Sequence, residues 1–394
     1  MTLTKNVRNC LSRAGVLDLP FAVWRRPGKS TIEGVISCSP LTRRPVFTTE
    51  PAPAFFALSR FLTDNPNQAD AIMADCVIKG EEIVFRDGAV QRPEPFTPMH
   101  EDLARAACDP ARLPGIQAGA DAPAPSETRQ ADYTRLICKA IQAISEGRLT
   151  KVVTSRAEAR PLAGDYDLLA LFEALAAKLS TAFVALVHLP GQGAWLVGTP
   201  ETLLSHRDGV LKTIALAGTQ WLGDDVELDA VAWPQKIIDE QALVGDYIRT
   251  ALSEAGLADF EEHGPRTVQA ASLVHLQSDF AARIGADSAD ILAGLLNRLH
   301  PTSAVCGMPR AAALQFLHDH EGYDRDYYTG YLGPVNFDGA TDLYVNLRTA
   351  RILGDKAFLY VGGGIVAGSV PQTEWEETVQ KSKTVGSILQ SPRP

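Results

Sequence analysis

The chain has no apolar run of roughly 18 residues, the length needed to cross a hydrocarbon core. Its first residues, Met1 to Asn6, lack the apolar stretch of a signal peptide. Positive charge is in deficit: 37 lysines and arginines stand against 47 aspartates and glutamates, for a formal net charge of -10. That excess argues against a nucleic-acid or anionic-membrane partner, which basic patches normally recruit. It leaves room for an anionic small substrate, because a few buried cations can dominate locally. No run of like charge is long enough to form an interaction tail. The six cysteines (Cys10, Cys38, Cys76, Cys108, Cys138 and Cys306) form no CxxC pair, so neither a zinc site nor a disulfide framework is expected. These absences together predict a reduced, soluble, cytoplasmic protein. Walker A, GxSxG, HExxH and GxGxxG sequences are missing too, which removes the usual signatures of several enzyme classes.

What is present is 394 residues, 45% hydrophobic and 21% charged, enough for two domains or for one large α/β body with an N-terminal extension. One composition shift interrupts it. Asp109 to Ser126 (DPARLPGIQAGADAPAPS) carries four prolines and predicts a linker or long exposed loop. It divides residues 1–125, expected to be an N-terminal structural segment, from residues 126–394, where the candidate catalytic chemistry lies. Ahead of it, Thr31–Ser37 and Glu82–Arg86 read as short strands and Ala52–Leu62 as a helix. No chemical motif occurs there, so this segment is expected to be structural or lid-like.

Beyond the shift, Tyr133, Leu136, Ile137, Ala140, Ile141 and Ile144 recur at helical spacing and predict an amphipathic helix. Strands are expected at Leu149–Arg156, Ala182–His188, Ala194–Val197, Thr202–His206, Leu211–Leu216, Ala271–Gln277, Asp342–Ile352 and Ala357–Tyr360. Helices are expected near Asp167–Leu179, Lys236–Ala255, Ala289–Leu299, Pro309–His318 and Thr373–Leu389. Strands arriving in hairpin-like order predict an α+β fold with a large, mostly antiparallel sheet packed by helices.

Five segments carry candidate chemistry. Lys151 lies in LTKVVTSR. A snorkelling edge lysine is the commoner reading, because an amine with a pKa of about 10.4 is neutral in only roughly one molecule in a few thousand at pH 7. Burial would be needed to make it a base. Gly198-Thr199-Pro200-Glu201 predicts a turn that delivers Glu201 to the start of a strand, where partial burial would suit a general acid. Gly218 and Thr219 close the strand LKTIALAG, offering close backbone approach and a hydroxyl. Arg348 sits among Leu343, Val345 and Leu347, where a buried guanidinium usually has an anionic partner. Gly362-Gly363-Gly364 presents unobstructed backbone N–H groups. Glu374, Glu377 and Lys381 share a helix face, and Glu240 on another helix could join Glu377 in offering hard oxygen ligands to Mg²⁺. The cluster His318 to Glu321 reads as a solvated helix end rather than a metal site, since consecutive helical residues do not face one point.

Taken together, KVVTSR, GTPETLL, ALAGT, LHPTSAVCG, RDYYTGYLG, NLRTA, GGGIVAGS and PQTEWEETVQK, in that order from Ser126 to Leu389, resemble the chorismate-utilising enzymes: isochorismate, salicylate, anthranilate and aminodeoxychorismate synthases. The resemblance implies a large antiparallel β-sandwich-like core flanked by helices, and a Mg²⁺ that holds the ring carboxylate of chorismate. It implies Glu240 and Glu377 as metal ligands, with Glu374 as an accompanying acid. Arg348 and Tyr328 would hold the enolpyruvyl carboxylate, while Gly218, Thr219, His275, Gly362, Gly364 and Lys381 would serve substrate or metal-shell positions. Members that use water carry a lysine at position 151. The resemblance is therefore to isochorismate synthases of the menaquinone and siderophore type, as HPTSAVCG also suggests. Lys151 would deprotonate water for attack at C2 and Glu201 would protonate the departing C4 hydroxyl. A salicylate synthase, which goes on to eliminate pyruvate, shares the lysine. A non-catalytic chorismate-binding protein would not need the acid–base pair. No glutaminase subunit is expected. Three features depart from the pattern: Ile237 stands where an acidic residue is common, which predicts a thinner outer metal shell; Gln241 stands where a histidine is common; and the stretch from Glu201 to Glu240 is shorter than usual, which predicts a trimmed loop.

Overall fold

Several strands of this chain do not alternate. Phe183–Leu189 and Gly193–Thr199 are buried along their whole length, so they must be covered on both faces. The architecture follows from that need. The computed structural model describes residues 2–86, 122–162, 166–221, 227–270, 273–285 and 288–389. Among them one 10-stranded sheet runs in the order Gly307–Met308, Lys151–Pro161, Lys356–Ile365, Thr349–Leu353, Gly193–Thr199, Phe183–Leu189, Phe21–Arg25, Ile32–Ile36, Cys76–Lys79, Glu82–Phe85. A 9-stranded sheet runs Glu261–Ala270, Leu273–Arg283, Val210–Trp221, Thr202–Arg207, Ala340–Val345, Tyr331–Val335, Phe55–Ser59, Gln68–Met73, Thr42–Pro45. The paired strands are antiparallel in both sheets.

The sheets face each other across a shared aromatic core. Trp24, Phe183, Trp195 and Tyr360 from the first meet Phe56, Leu332 and Tyr344 from the second. Phe183 stacks on Tyr344 with ring centroids 4.0 Å apart, an arrangement that contributes beyond area burial alone. Helices cover the outer faces. Lys5–Val16, Leu168–Lys178 and Pro371–Leu389 bury apolar stripes on the first sheet, and Gln235–Glu254 and Ala289–Leu299 do so on the second. Helix Gln130–Ser145 buries Tyr133, Leu136, Ile137 and Ala140, as its spacing predicts. No described helix is long and apolar enough to cross a membrane.

Residues 2–86 supply strands to both sheets. The proline-rich stretch that begins at Asp109 lies outside the described residues as far as 121. Two expectations fail for physical reasons. Ala52–Leu62 is not a helix: Phe55–Ser59 is a fully buried strand, paired on one side with Tyr331–Val335 and on the other with Gln68–Met73. An apolar run of this length suits either structure, and the two waiting neighbours decide. Asp342–Ile352 is not one strand but two. Ala340–Val345 belongs to the second sheet and Thr349–Leu353 to the first, with Asn346 to Arg348 crossing between them.

Candidate active site

A second crossing runs beside that one. Gly193–Thr199 lies in the first sheet and Thr202–Arg207 in the second, so Pro200 and Glu201 also bridge the layers. The crossings are tied together: Gly198 N–H donates to Arg348 O (3.1 Å) and Val345 N–H donates to Glu201 O (3.0 Å). Arg348 takes a left-handed φ of 48° there. Such a backbone costs about 1–3 kcal/mol and persists only where its surroundings impose it. The acid and the arginine therefore enter the same space from adjacent crossovers.

That space is a cavity of about 310 Å³. Every site residue expected from the sequence lines it except Thr219, which follows Gly218 on its strand and whose side chain lies outside the described residues. Lys151, only 1% exposed, donates to Glu240 Oε1 at 2.6 Å. Burial would raise the Glu240 carboxyl, but the Lys151 ammonium, with Lys381 and Lys236 behind it, outweighs burial and holds it below the usual range. Glu201 lies in the opposite regime. Burial pushes its carboxyl up to about 8 against the opposing pull of the Lys151 charge. Two carboxyls in one cavity thus keep different protonation states at neutral pH, a common mark of acid–base work.

Another wall of the cavity is built around the buried Arg348. His275 Nδ1 lies 2.8 Å from Gly218 O, which can only accept, so that nitrogen carries the proton. Its Nε2 lone pair then faces Arg348 Nη2 at 3.4 Å. Burial, and next the Arg348 charge, lowers the imidazole pKa to about 3, so the ring stays neutral beside the guanidinium. Tyr328 is raised to about 12, by burial first, and remains a neutral phenol.

The glycine triplet is the floor. A Cβ on Gly364 would sit 2.9 Å from Glu240 Oε1 and 2.9 Å from Lys151 Cε. One on Gly363 would lie 3.4 Å from Glu374 Oε2 and 3.9 Å from Glu377 Oε1. The bare backbone therefore lets three carboxylates approach the same strand. Lys381 donates to Gly362 O at 3.0 Å and pairs with Glu377 at 2.6 Å. Gly364→Ala is accordingly expected to push Glu240 and Lys151 apart and lower turnover about 10- to 100-fold, with melting temperature down by no more than a few degrees. Steady-state rates and a thermal melt check this; an unchanged rate would show that the cradle is not required.

The donor set suits a hard cation. Mg²⁺ is usually held by one or two carboxylates together with substrate oxygens and water. Glu240 and Glu377 could supply those carboxylates, with Glu374 beside them. No ready-made group of three metal-ligating side chains is present among the described residues, and lysines neutralise each of the three carboxylates. Lys236 was not singled out from the sequence, yet its ammonium lies 3.4 Å from Glu374 Oε1. Its place one helical turn before Glu240 was the available signal.

The two departures in residue type have local explanations. Ile237 Cγ2 lies 2.2 Å from where a Gly218 Cβ would be, so an apolar contact stands where an outer acid was expected. Gln241 accepts from Ala217 N–H (2.9 Å) and donates to Ala215 O (3.2 Å), fastening its helix to the β-bulge beside Gly218. At the helix end, His318 and Asp319 are solvated as expected, but Glu321 is buried in a pair with Arg325.

Comparison with known proteins places this geometry in a family. Residues 96–390 match the family model described as chorismate binding enzyme. The "Salicylate biosynthesis isochorismate synthase" of Pseudomonas aeruginosa is 35% identical over 284 residues, 71% of this chain and 58% of that protein. "Isochorismate synthase MenF" of Escherichia coli is 32% identical over 268 residues, 66% of this chain and 60% of that protein. The chain thus spans about three fifths of the length of these curated relatives. The solved structure of MenF, the menaquinone-specific isochorismate synthase from Escherichia coli, superposes with a TM-score of 0.74 at 25% identity, covering 94% of this chain and 89% of that one. Anthranilate synthase component I from Streptococcus pneumoniae shares the fold, with a TM-score of 0.67 at 16% identity over 94% of this chain and 90% of that one. A cavity lined by the expected residues, in a sandwich of this topology and with this family match, leads to one conclusion: the chain belongs to the family of chorismate-binding enzymes.

Proposed function

We propose that the chain is an isochorismate synthase that converts chorismate to isochorismate. The observation that carries the reading is the pairing, in one cavity, of an acid kept protonated up to about pH 8 with a fully buried lysine. An enzyme that adds water and expels hydroxide equivalents needs both groups. The names of the relatives support the same reading.

In the proposed reaction Arg348 and Tyr328 hold the enolpyruvyl carboxylate of chorismate, with neutral His275 keeping the guanidinium aimed. Lys151 Nζ accepts a proton from water as the oxygen bonds to ring carbon C2. The ring double bonds shift, the C4–O bond breaks, and Glu201 gives its proton to the departing hydroxyl. One water enters and one leaves, so the overall change is an isomerisation. Lys151 donates to Glu240 in the structure, so its amine becomes a base only once Glu240 is engaged elsewhere. A Mg²⁺ held by Glu240 and Glu377, with Glu374 nearby, would when bound supply positive charge to anchor the ring carboxylate.

Glu377→Ala is expected to raise the Mg²⁺ concentration giving half-maximal rate at least about tenfold. A magnesium titration of the rate checks this, and an unchanged half-point would remove Glu377 from the ligand set. Incubation with chorismate and Mg²⁺, followed by product separation, tests the reaction itself. Isochorismate without pyruvate supports the proposal. Salicylate with stoichiometric pyruvate would make the protein a lyase, and unchanged chorismate would leave it a binder.

A further inference from the structure

The strand Lys151–Pro161 is paired along one side with Lys356–Ile365, from Val152 opposite Ile365 to Pro161 opposite Lys356. Among the described residues, its other side has a strand neighbour only at Lys151 and Val152, with Val153 N–H donating to Cys306 O just beyond (2.9 Å). Past that point the strand stays buried as far as Ala157, where unpaired backbone groups would be costly. Two side chains complete the ladder. Val153 O accepts from Arg325 Nη2 at 2.6 Å, and Ser155 N–H donates to Glu321 Oε1 at 2.7 Å. Thr128 N–H then donates to Ala157 O (3.0 Å) and resumes backbone pairing.

The same guanidinium also bonds two other residues of the cavity wall. Arg325 grips Glu321 through two bonds, of 2.6 and 2.7 Å. Nη1 donates to Val305 O at 3.0 Å and to Thr329 Oγ1 at 3.2 Å. Both side chains are essentially excluded from solvent, at 1% and 3% exposure. Val153, Val305 and Thr329 all line the cavity, and Lys151 precedes Val153 by two residues on the same face of its strand.

We infer that Arg325, locked by Glu321, is a positioning residue for the reaction: it replaces a missing strand along the Lys151 edge and fixes that edge relative to the Val305 and Thr329 walls. The inference rests on the reading that Lys151 does chemistry on chorismate. Only a guanidinium has the five donors in a rigid fork that these acceptors require, whereas a lysine has three on a flexible stem. Arg348 and His275 are not bonded to this fork, and Tyr328 meets it only through the backbone of its own turn, so substrate binding should be perturbed less than turnover by its loosening.

The test compares wild type with Arg325→Lys and with Glu321→Gln, by thermal melting and by steady-state kinetics with chorismate. Both variants are expected to melt cooperatively. kcat should fall about 100-fold in the first and about 10-fold in the second, with KM within about threefold of wild type, as a displacement of the order of 1 Å near the reacting groups produces. A folded variant with kcat within about twofold of wild type overturns the inference. So does a loss confined to KM, and so does failure of both variants to fold, which would make the pair a brace for the fold alone. An inactive wild type would instead sink the proposed reaction.

Discussion

Glu201→Gln is expected to give a folded protein whose kcat is about 100- to 10,000-fold below wild type, the span associated with losing a positioned general acid. The amide keeps the shape and the acceptor oxygen and loses only the transferable proton. The pH dependence follows from the same burial. Wild-type Glu201 is protonated below about pH 8, so turnover should decline as pH rises through that value, and the residual rate of the variant should lack this limb. Stability should fall with rising pH as well, but over a lower range. An acid whose folded pKa is raised is ionised in the unfolded chain while still neutral in the folded one, so it costs stability progressively from the ordinary carboxylate range up to about 8. Because each tenfold change in a proton-binding equilibrium corresponds to about 1.4 kcal/mol, the full penalty is on the order of a few kcal/mol. Melting temperatures of the variant relative to wild type should therefore rise between pH 5 and pH 8. A constant difference over that range would mean that Glu201 is not held neutral, and a wild-type-like rate would move the acid elsewhere.

Lys151→Ala carries the second large effect. Lys151 is the base assigned to water in the proposed reaction, and kcat is expected to fall about 1,000-fold or more without its amine. Equilibrium dialysis with chorismate separates this from lost binding: affinity should stay within several-fold, because Arg348, His275 and Tyr328 are untouched. Glu240 loses its closest cation in this variant, so a melting temperature lower by a few degrees is expected, limited by Lys381 and Lys236 remaining near. Turnover near the wild-type level would show that water is activated by another group.

Much of this was legible before any coordinates. Buried periodicity announced helix 130–145 because one face must meet a core, and the strands around Lys151 and Ala194 announced themselves as apolar runs. Residue type and spacing made Lys151, Glu201, Arg348, the three glycines and the glutamates of the last helix candidates, whereas His275 and Tyr328 were named only through the family resemblance. Lys236 and Arg325 were not singled out from sequence: Lys236 is a half-exposed helical lysine marked only by its spacing from Glu240, and nothing in the sequence marks the burial of Arg325 or its pairing with Glu321.

What the sequence by itself determined was composition, the alternation of strands and helices, and which side chains could do acid–base or anion-binding chemistry. Only the tertiary structure decided that Phe55–Ser59 is a strand, because a short apolar run takes the form its neighbours offer. Only the tertiary structure broke Asp342–Ile352 into two strands, because the chain passes there from one sheet to the other and holds Arg348 in a left-handed turn. The protonation states were decided there as well: Glu201 and Glu240 are the same residue type, and burial without a hydrogen-bonded cation raises one while the Lys151 ammonium lowers the other.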